Sequence, residues 1–320
     1  MLVAVFFVIN LWLGEVEIPW NDILTLLTGG EVENKSWSYI VESRLNRSVA
    51  AVLSGSALAL AGIILQVYFR NPLAGPGVLG ITSGASLGVA FVILGGAGIG
   101  TFAGELGVIS AGILGALTVL GLLVIVSRYI QNPVTLLVLG LMFSYFTFAI
   151  INVLYLWANM DATREYVLWN MGSFEGISSM GLVTLSAVVC VFIALSVLLI
   201  KPLNALVLGA EYASSLGVNM RQTKFLVIGI TGVLAAIVTV YCGPISFIGT
   251  AVPQLVRLVW TSKNHAIQIP AVILLGAILA LISDIVVRLS SNSLPLNTVT
   301  ALIGAPIIIY TIIKLNKRLA

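Results

Sequence analysis

Charge is what this chain has least of. Only 8% of its 320 residues are Asp, Glu, Lys or Arg while 59% are hydrophobic, against roughly 25% charged in an ordinary soluble domain. A water-soluble globule cannot hide that much apolar surface, so the composition requires an integral membrane protein. The apolar runs lack period-two alternation, which argues against a transmembrane barrel and leaves an all-α chain. Histidine occurs once, at His265, and this excludes a histidine-rich metal site. Cysteine occurs twice, at Cys190 and Cys242 in different apolar segments, and both are expected to be small helix residues rather than a disulfide. The net charge is only +3 and no basic tract points to nucleic acid. There is no GxxxxGK[ST] loop, no HExxH, no paired-cysteine motif and no serine in a nucleophile elbow. The chain is therefore not expected to be an enzyme or to bind a cofactor or metal. If it works with ATP, a partner subunit must hydrolyse it.

What is present is a series of apolar segments interrupted by glycine and proline. About ten spans are expected, near 1–14, 48–68, 78–99, 104–127, 134–157, 179–200, 222–241, 244–259, 268–288 and 297–315. Met1–Leu13 is short for a span and has neither a positive flank nor a cleavage site. It reads as a truncated first helix or a start codon assigned late, not as a signal peptide. With the N-terminus inside, the inner loops and ends collect ten basic residues and the outer side five: Lys35, Arg44, Arg47, Arg164 and Arg288. The positive-inside rule supports that orientation. Ten acids, Glu15 and Glu33 among them, fall outside, and Glu211 is the one acid of an inner loop. Trp20, Trp37, Trp157 and Trp169 near the outer ends read as interface-belt residues.

The most informative segment is QVYFRNPLAGPGVLGITSGAS, Gln66–Ser86, a Gly/Pro-rich break between two apolar runs. Broken backbone persists at membrane depth only where protein buries it or it lines a cavity. The break is thus a candidate gate, with an ordinary loop on the inner face as the alternative.

Five stretches, in order, carry a resemblance: Arg44-Leu45-Asn46-Arg47 leading into SVAAVLSGSALALAGIILQ; FRNPLAGPGVLGITSGAS; LGAEYASSLGV at Leu208–Val218; GPISFIGTAVPQLVRL at Gly243–Leu258; and ISDIVVRLSSNSLPLNTVTALIGAPIIIY at Ile282–Tyr310. Together they resemble the permease subunits of ABC importers for iron–siderophore, haem and cobalamin, over nearly the whole chain after the first helix. The resemblance implies one transmembrane permease domain over residues 1–320 with the type II importer architecture, ten helices and a homodimer around a central pathway. It also implies two separate ATP-binding cassette subunits, a periplasmic or lipoprotein substrate-binding protein outside, and the bacterial cytoplasmic (inner) membrane.

It further assigns sites. Leu208, Gly209, Glu211, Ala213, Leu216 and Gly217 match the short inner helix that couples to the ATPase, and the two glycines bracket it as turn points. Arg44, Arg47 and Arg288 match positions that receive glutamates of the binding protein; guanidinium forks suit carboxylates, and the alternative is that they anchor helix ends. Asn46 stands where the family usually has proline. Asn71 and Leu73 match a cytoplasmic gate whose second half falls at Pro133 and Val134. Small polar residues can occupy that site in the family; Pro133 and Val134 depart from that pattern, and a more apolar constriction would gate by dewetting instead. Asp284 stands four residues before Arg288, in the favourable order for a helical ion pair. It is also the only acid well inside a span and the sole foothold for the rival reading, a secondary transporter driven by protons or sodium. Gln254 and His265 carry no expected role.

Overall fold

The computed structural model describes residues 1–14, 16–32, 34–96, 102–130, 132–260, 262–290 and 294–319. Glu15 and Glu33, and residues 291–293 of the fifth matching stretch, lie outside them. The described residues form helices α1 (Leu2–Trp12), α2 (Trp20–Leu27), α3 (Ser36–Tyr68), α4 (Ile81–Ile93), α5 (Phe102–Ser127), α6 (Pro133–Trp157), α7 (Met160–Asn170), α8 (Ser179–Ser196), α9 (Ile200–Leu208), α10 (Ala210–Ser215), α11 (Met220–Cys242), α12 (Ile248–Val259), α13 (His265–Leu289) and α14 (Leu296–Leu319). Short 3-10 turns, Pro76–Leu79 and Val197–Leu199, precede α4 and join α8 to α9.

Six helical stretches among these are long and apolar enough to cross a membrane: Ser36–Tyr68, Leu106–Ser127, Pro133–Trp157, Ser179–Leu208, Met220–Cys242 and His265–Leu289. The sequence reading of about ten spans is corrected to six on this measure. The other four segments, Leu2–Trp12, Ile81–Ile93, Ile248–Val259 and Leu296–Thr311, are apolar but fall short of the roughly 20 residues a span takes. Two short helices that hydropathy does not single out, α2 and α7, lie between the apolar segments. Asn159 starts α7 by accepting the Ala162 N–H at 2.8 Å, with Asp161 in the first turn.

Helix α3 is the axis of the bundle. It packs on α13, α11, α12 and α8 and is buried along most of its length. Small residues make this possible, because association inside a bilayer relies on close backbone approach. A Cβ on Gly55 would overlap the Gly276 carbonyl of α13, and one on Gly62 would overlap the Gly249 carbonyl of α12. Pro253 stands four residues after Gly249 in α12 and offers no N–H to that carbonyl. The same substitution pattern joins α4 to α5, where Gly84 faces Gly115 and Gly88 faces Ala111.

The Gly/Pro break after α3 is not a surface loop. Ala74, Gly75, Pro76, Leu79 and Gly80 are buried. Gly80, at φ +76°, sits against the Gly140 carbonyl, two turns inside α6. Ile81 packs on Gly232, which lies ~18 Å along α11 from its start. The segment therefore rises into the bundle before α4 begins. Its backbone polar groups are matched locally: Asn71 N–H to Gln66 O (3.2 Å), Ala74 N–H to Asn71 O (3.1 Å), Val78 N–H to Gly75 O (3.1 Å) and Gly80 N–H to Gly77 O (3.2 Å). Buried irregular backbone satisfied in this way is the condition for its survival away from water.

Candidate functional site

One end of the bundle gathers the start of α3 and the ends of α1 and α13. Arg44 and Arg47, one turn apart on α3, meet Arg288 of α13 around Asp284, which is 1% exposed. Arg47 Nε donates to Asp284 Oδ1 at 2.7 Å and Arg288 Nε to Asp284 Oδ2 at 3.0 Å, so one carboxylate bridges two helices. Arg47 Nη1 also reaches the half-exposed Glu175 at 2.9 Å, between α7 and α8. Arg44 instead donates to three carbonyls, those of Leu11 (3.3 Å), Trp12 (3.2 Å) and Val16 (2.6 Å). Arg288 Nη1 takes those of Asn10 (3.0 Å) and Leu13 (3.1 Å). The last carbonyls of a helix have no partners of their own and carry partial negative charge. Two of the three arginines thus terminate α1. Gly14 lets this happen, since a Cβ there would overlap the Arg44 guanidinium.

The three arginines and Glu175 line a cavity of about 320 Å³, open to solvent, together with Tyr39 and Ser43. Against the three guanidinium groups stand Glu175 in the wall and Asp284 buried behind it, so the cluster carries one net positive charge. The Arg288 Nη2 atom is buried there and has no hydrogen-bond partner. The sequence places the three arginines at one mouth, and the structure brings them together. They point inward, however, with Arg44 and Arg47 only 6% and 7% exposed. Asn10, 0% exposed, belongs to the same cluster: its Oδ1 accepts from Ser48 Oγ at 3.3 Å. Neither Asn10 nor Glu175 is singled out by the sequence.

The opposite end carries the segment Leu208–Val218. Gly209 (φ +126°) and Gly217 (φ +84°) take conformations that favour glycine, and they bracket α10 as two turn points. Ala213 is fully buried, while Leu208, Tyr212 and Leu216 are exposed, so α10 shows an apolar edge beside Glu211. Helix α9 leads into it and is tied elsewhere. Asn204 Oδ1 accepts from the backbone N–H of His265 at 2.8 Å and lies 2.7 Å from its Nδ1, and Asn204 Nδ2 donates to Asn264 Oδ1 at 3.0 Å. His265 therefore joins α13 to the stalk of α10. Arg70, at φ +49°, points Nη2 to the Leu206 carbonyl (3.4 Å) from the start of the Gly/Pro break.

Within that break, Asn71 folds its Oδ1 onto the Leu73 N–H at 2.9 Å, and the Leu73 side chain is exposed. Gln254 of α12 fastens the turn: its Nε2 donates to Pro72 O (2.8 Å) and Gln66 Oε1 (2.9 Å), and Gln66 Nε2 donates to Thr250 O (3.0 Å). Pro133 and Val134 are the first two residues of α6, and Asn132 caps them by accepting the Val134 N–H at 2.9 Å. Proline is at home in a first turn because its missing N–H would be unpaired there anyway. Its appearance at position 133 follows from helix initiation. The Gln254 and His265 contacts span 188 and 61 residues, too far for spacing to reveal. Both cysteines are free, and Cys242 Sγ lies 3.1 Å from Ser54 Oγ. Among the described residues no group of three or more His, Cys, Asp and Glu is placed to hold a metal ion.

The model of the FecCD transport family matches residues 2–314. The vitamin B12 import system permease protein BtuC of Klebsiella pneumoniae subsp. pneumoniae is 33% identical over 324 residues, covering 99% of this chain and 93% of that protein. The hemin transport system permease protein HmuU of Yersinia pestis is 32% identical over 285 residues, covering 88% and 85%. A solved inward-facing conformation, assigned to the metal-chelate type of ABC transporter, superposes with a TM-score of 0.85 at 28% identity over 98% of this chain and 96% of that one. On a family match that runs almost from end to end, the chain belongs to the FecCD transport family.

Proposed function

We propose that this chain is the membrane-spanning subunit of an ATP-driven importer for a metal chelate or cobalamin. The observation that carries the reading is the family match over residues 2–314, joined to the close superposition on an ABC transporter. In this reading residues 1–320 form one transmembrane domain. The four shorter apolar helices, α1, α4, α12 and the Leu296–Thr311 part of α14, complete a bundle of ten. Two copies enclose the pathway in the cytoplasmic membrane of a bacterium, with the arginine end outside, as the basic-residue count favours.

The cavity lined by Arg44, Arg47 and Arg288 receives a carboxylate of the binding protein, which displaces Glu175 from Arg47; its net positive charge and the unpartnered Arg288 Nη2 support this. Residues Leu208, Gly209, Glu211, Ala213, Leu216 and Gly217 form the element that moves with the ATPase. Asn71 and Leu73, with Pro133 and Val134, close the inner end. Gradient-driven transport loses its foothold, because Asp284 is held by two arginines and has no unpaired oxygen to offer a moving proton.

The test is assembly and hydrolysis. The purified chain alone should hydrolyse no ATP. Joined to its cassette subunits it should form a stable complex whose hydrolysis rises when loaded binding protein is added. A chain that binds no cassette subunit would contradict the proposal.

A further inference from the structure

At the end of the bundle that carries Leu208–Val218, two helices are closed by cations from far along the chain. Neither α5 nor α9 has a basic residue in its last turn. A local lysine or arginine would satisfy such a terminus equally well. Instead Lys224, one turn into α11, donates its Nζ to the Ser127 carbonyl, 97 residues away, and to the Ile130 carbonyl at 2.9 Å, 94 residues away. Arg70 donates Nη2 to the Leu206 carbonyl in the last turn of α9 at 3.4 Å, across 136 residues. A Cβ on Gly209 would stand 3.3 Å from the same nitrogen, so Arg70 also lies against the turn that opens α10.

Each contact has one foot beside Leu208–Val218 and the other beside one half of the assigned gate. Leu206 is two residues before that element, and Arg70 immediately precedes Asn71. Lys224 is six residues after the element, and Ile130 stands three residues before Pro133. The short stretches between are bonded throughout. The Val218 N–H returns to Ala213 O at 3.0 Å. Asn219 Oδ1 accepts the Gln222 N–H at 3.0 Å, and its carbonyl accepts the Thr223 hydroxyl at 3.0 Å, so α10 runs into α11 with little slack. On the gate side, Gln66 O accepts the Asn71 N–H at 3.2 Å and Asn132 caps Val134 at 2.9 Å. The two contacts share no residue, so each half of the gate has its own connection.

We propose that Arg70 and Lys224 are two separate ties, each a positioning residue, through which displacement of Leu208–Val218 reaches the gate. Arg70 carries it to Asn71 and Leu73, and Lys224 carries it to Pro133 and Val134. The inference rests on the importer reading and adds which side chain moves which half. A cation on exposed helix-end carbonyls suits the task, because it holds a helix terminus at a distance that close packing of the helices themselves does not set.

The experiment uses the complex with its cassette subunits in nanodiscs and a chain carrying Cys190→Ser, since that thiol is exposed and Cys242 is buried. Leu73→Cys and Val134→Cys, both at exposed positions, are labelled with a water-soluble methanethiosulfonate, first without nucleotide and then with ATP and vanadate. With both ties intact the labelling rate should change at least fivefold at each position. Lys224→Met should cut the change to under twofold at 134 and leave it at 73, and Arg70→Met should do the reverse. Lys224→Arg, which keeps the charge and the donors, should restore the response at 134. ATP hydrolysis by the cassette subunits should persist in all three. A cation that only ends a helix predicts no effect or an equal loss at both positions, and either result overturns the proposal. Should Lys224→Met fail to fold, hydrogen exchange in the unaltered complex decides: protection of residues 126–130 and 70–74 should shift on ATP addition together with that of 208–218, and a shift confined to 208–218 overturns the ties. Failure of the importer reading looks different: with both ties intact neither position responds to ATP, and the ties fall with it.

Discussion

Replacing Asp284 by Asn removes one negative charge and almost no volume from a site that is 1% exposed. In the folded chain the carboxylate accepts Arg47 Nε at 2.7 Å and Arg288 Nε at 3.0 Å. An Asn side chain keeps one acceptor oxygen and turns an NH₂ group toward the second guanidinium, so one arginine loses its partner and meets a donor. Breaking a buried pair costs about 3–5 kcal/mol, most of it the penalty of the charge left behind. The value for Asn should be about 3 kcal/mol, since one contact survives, and for Asp284→Leu it should approach 5 kcal/mol. Arg47 retains Glu175 and Arg288 retains two carbonyls, which limits the loss. Reversible unfolding of the micelle-bound protein by SDS measures this. A double-mutant cycle with Arg288→Met should return a coupling of about 1–3 kcal/mol. Asp284→Asn with unchanged stability but abolished uptake would refute the reasoning and restore the gradient-driven reading.

Three further outcomes follow from the packing and the turns. Gly62→Ala should destabilise the bundle by about 1–3 kcal/mol or more by forcing α3 off α12, while Gly229→Ala, with nothing within 4 Å of the new Cβ, should be neutral or stabilising by up to about 1 kcal/mol; thermal melts of the two variants side by side decide it. Gln254→Leu removes both bonds from its amide and leaves the Pro72 carbonyl unpartnered, so amide exchange over residues 71–80 should quicken with little change elsewhere, and equal protection would refute the latch. Gly217→Pro imposes φ near −65° where the chain needs +84°; ATP hydrolysis should persist while uptake per ATP falls several-fold, and normal coupling would remove Leu208–Val218 from that role.

The helical membrane class was readable because composition alone decides it. The long spans were readable because their hydropathy is continuous. Helix α3 extends twelve residues beyond its expected start at 48, since its first turns carry Arg44 and Arg47 and look polar. Their burial depends on acids and carbonyls contributed by α1, α13 and the segment after α7, which no local pattern announces. Asp284 and Arg288 were paired correctly from their i,i+4 spacing, and the bridge to Arg47 was missed because it joins residues 237 apart. The Gly/Pro break was recognised from chemistry that bilayers rarely tolerate. How it is fastened, through Gln254 and Gln66, emerges only when α12 is laid against α3. Helix α7 escaped notice because it is capped and short rather than apolar.

Uptake into proteoliposomes that hold ATP inside and have no proton or sodium gradient tests the central claim most directly. The complex of this chain with its cassette subunits, given loaded binding protein on the outside, should accumulate the chelate in proportion to ATP hydrolysed and stop when ATP is withheld. Accumulation without ATP, driven by an imposed ion gradient, would contradict the account.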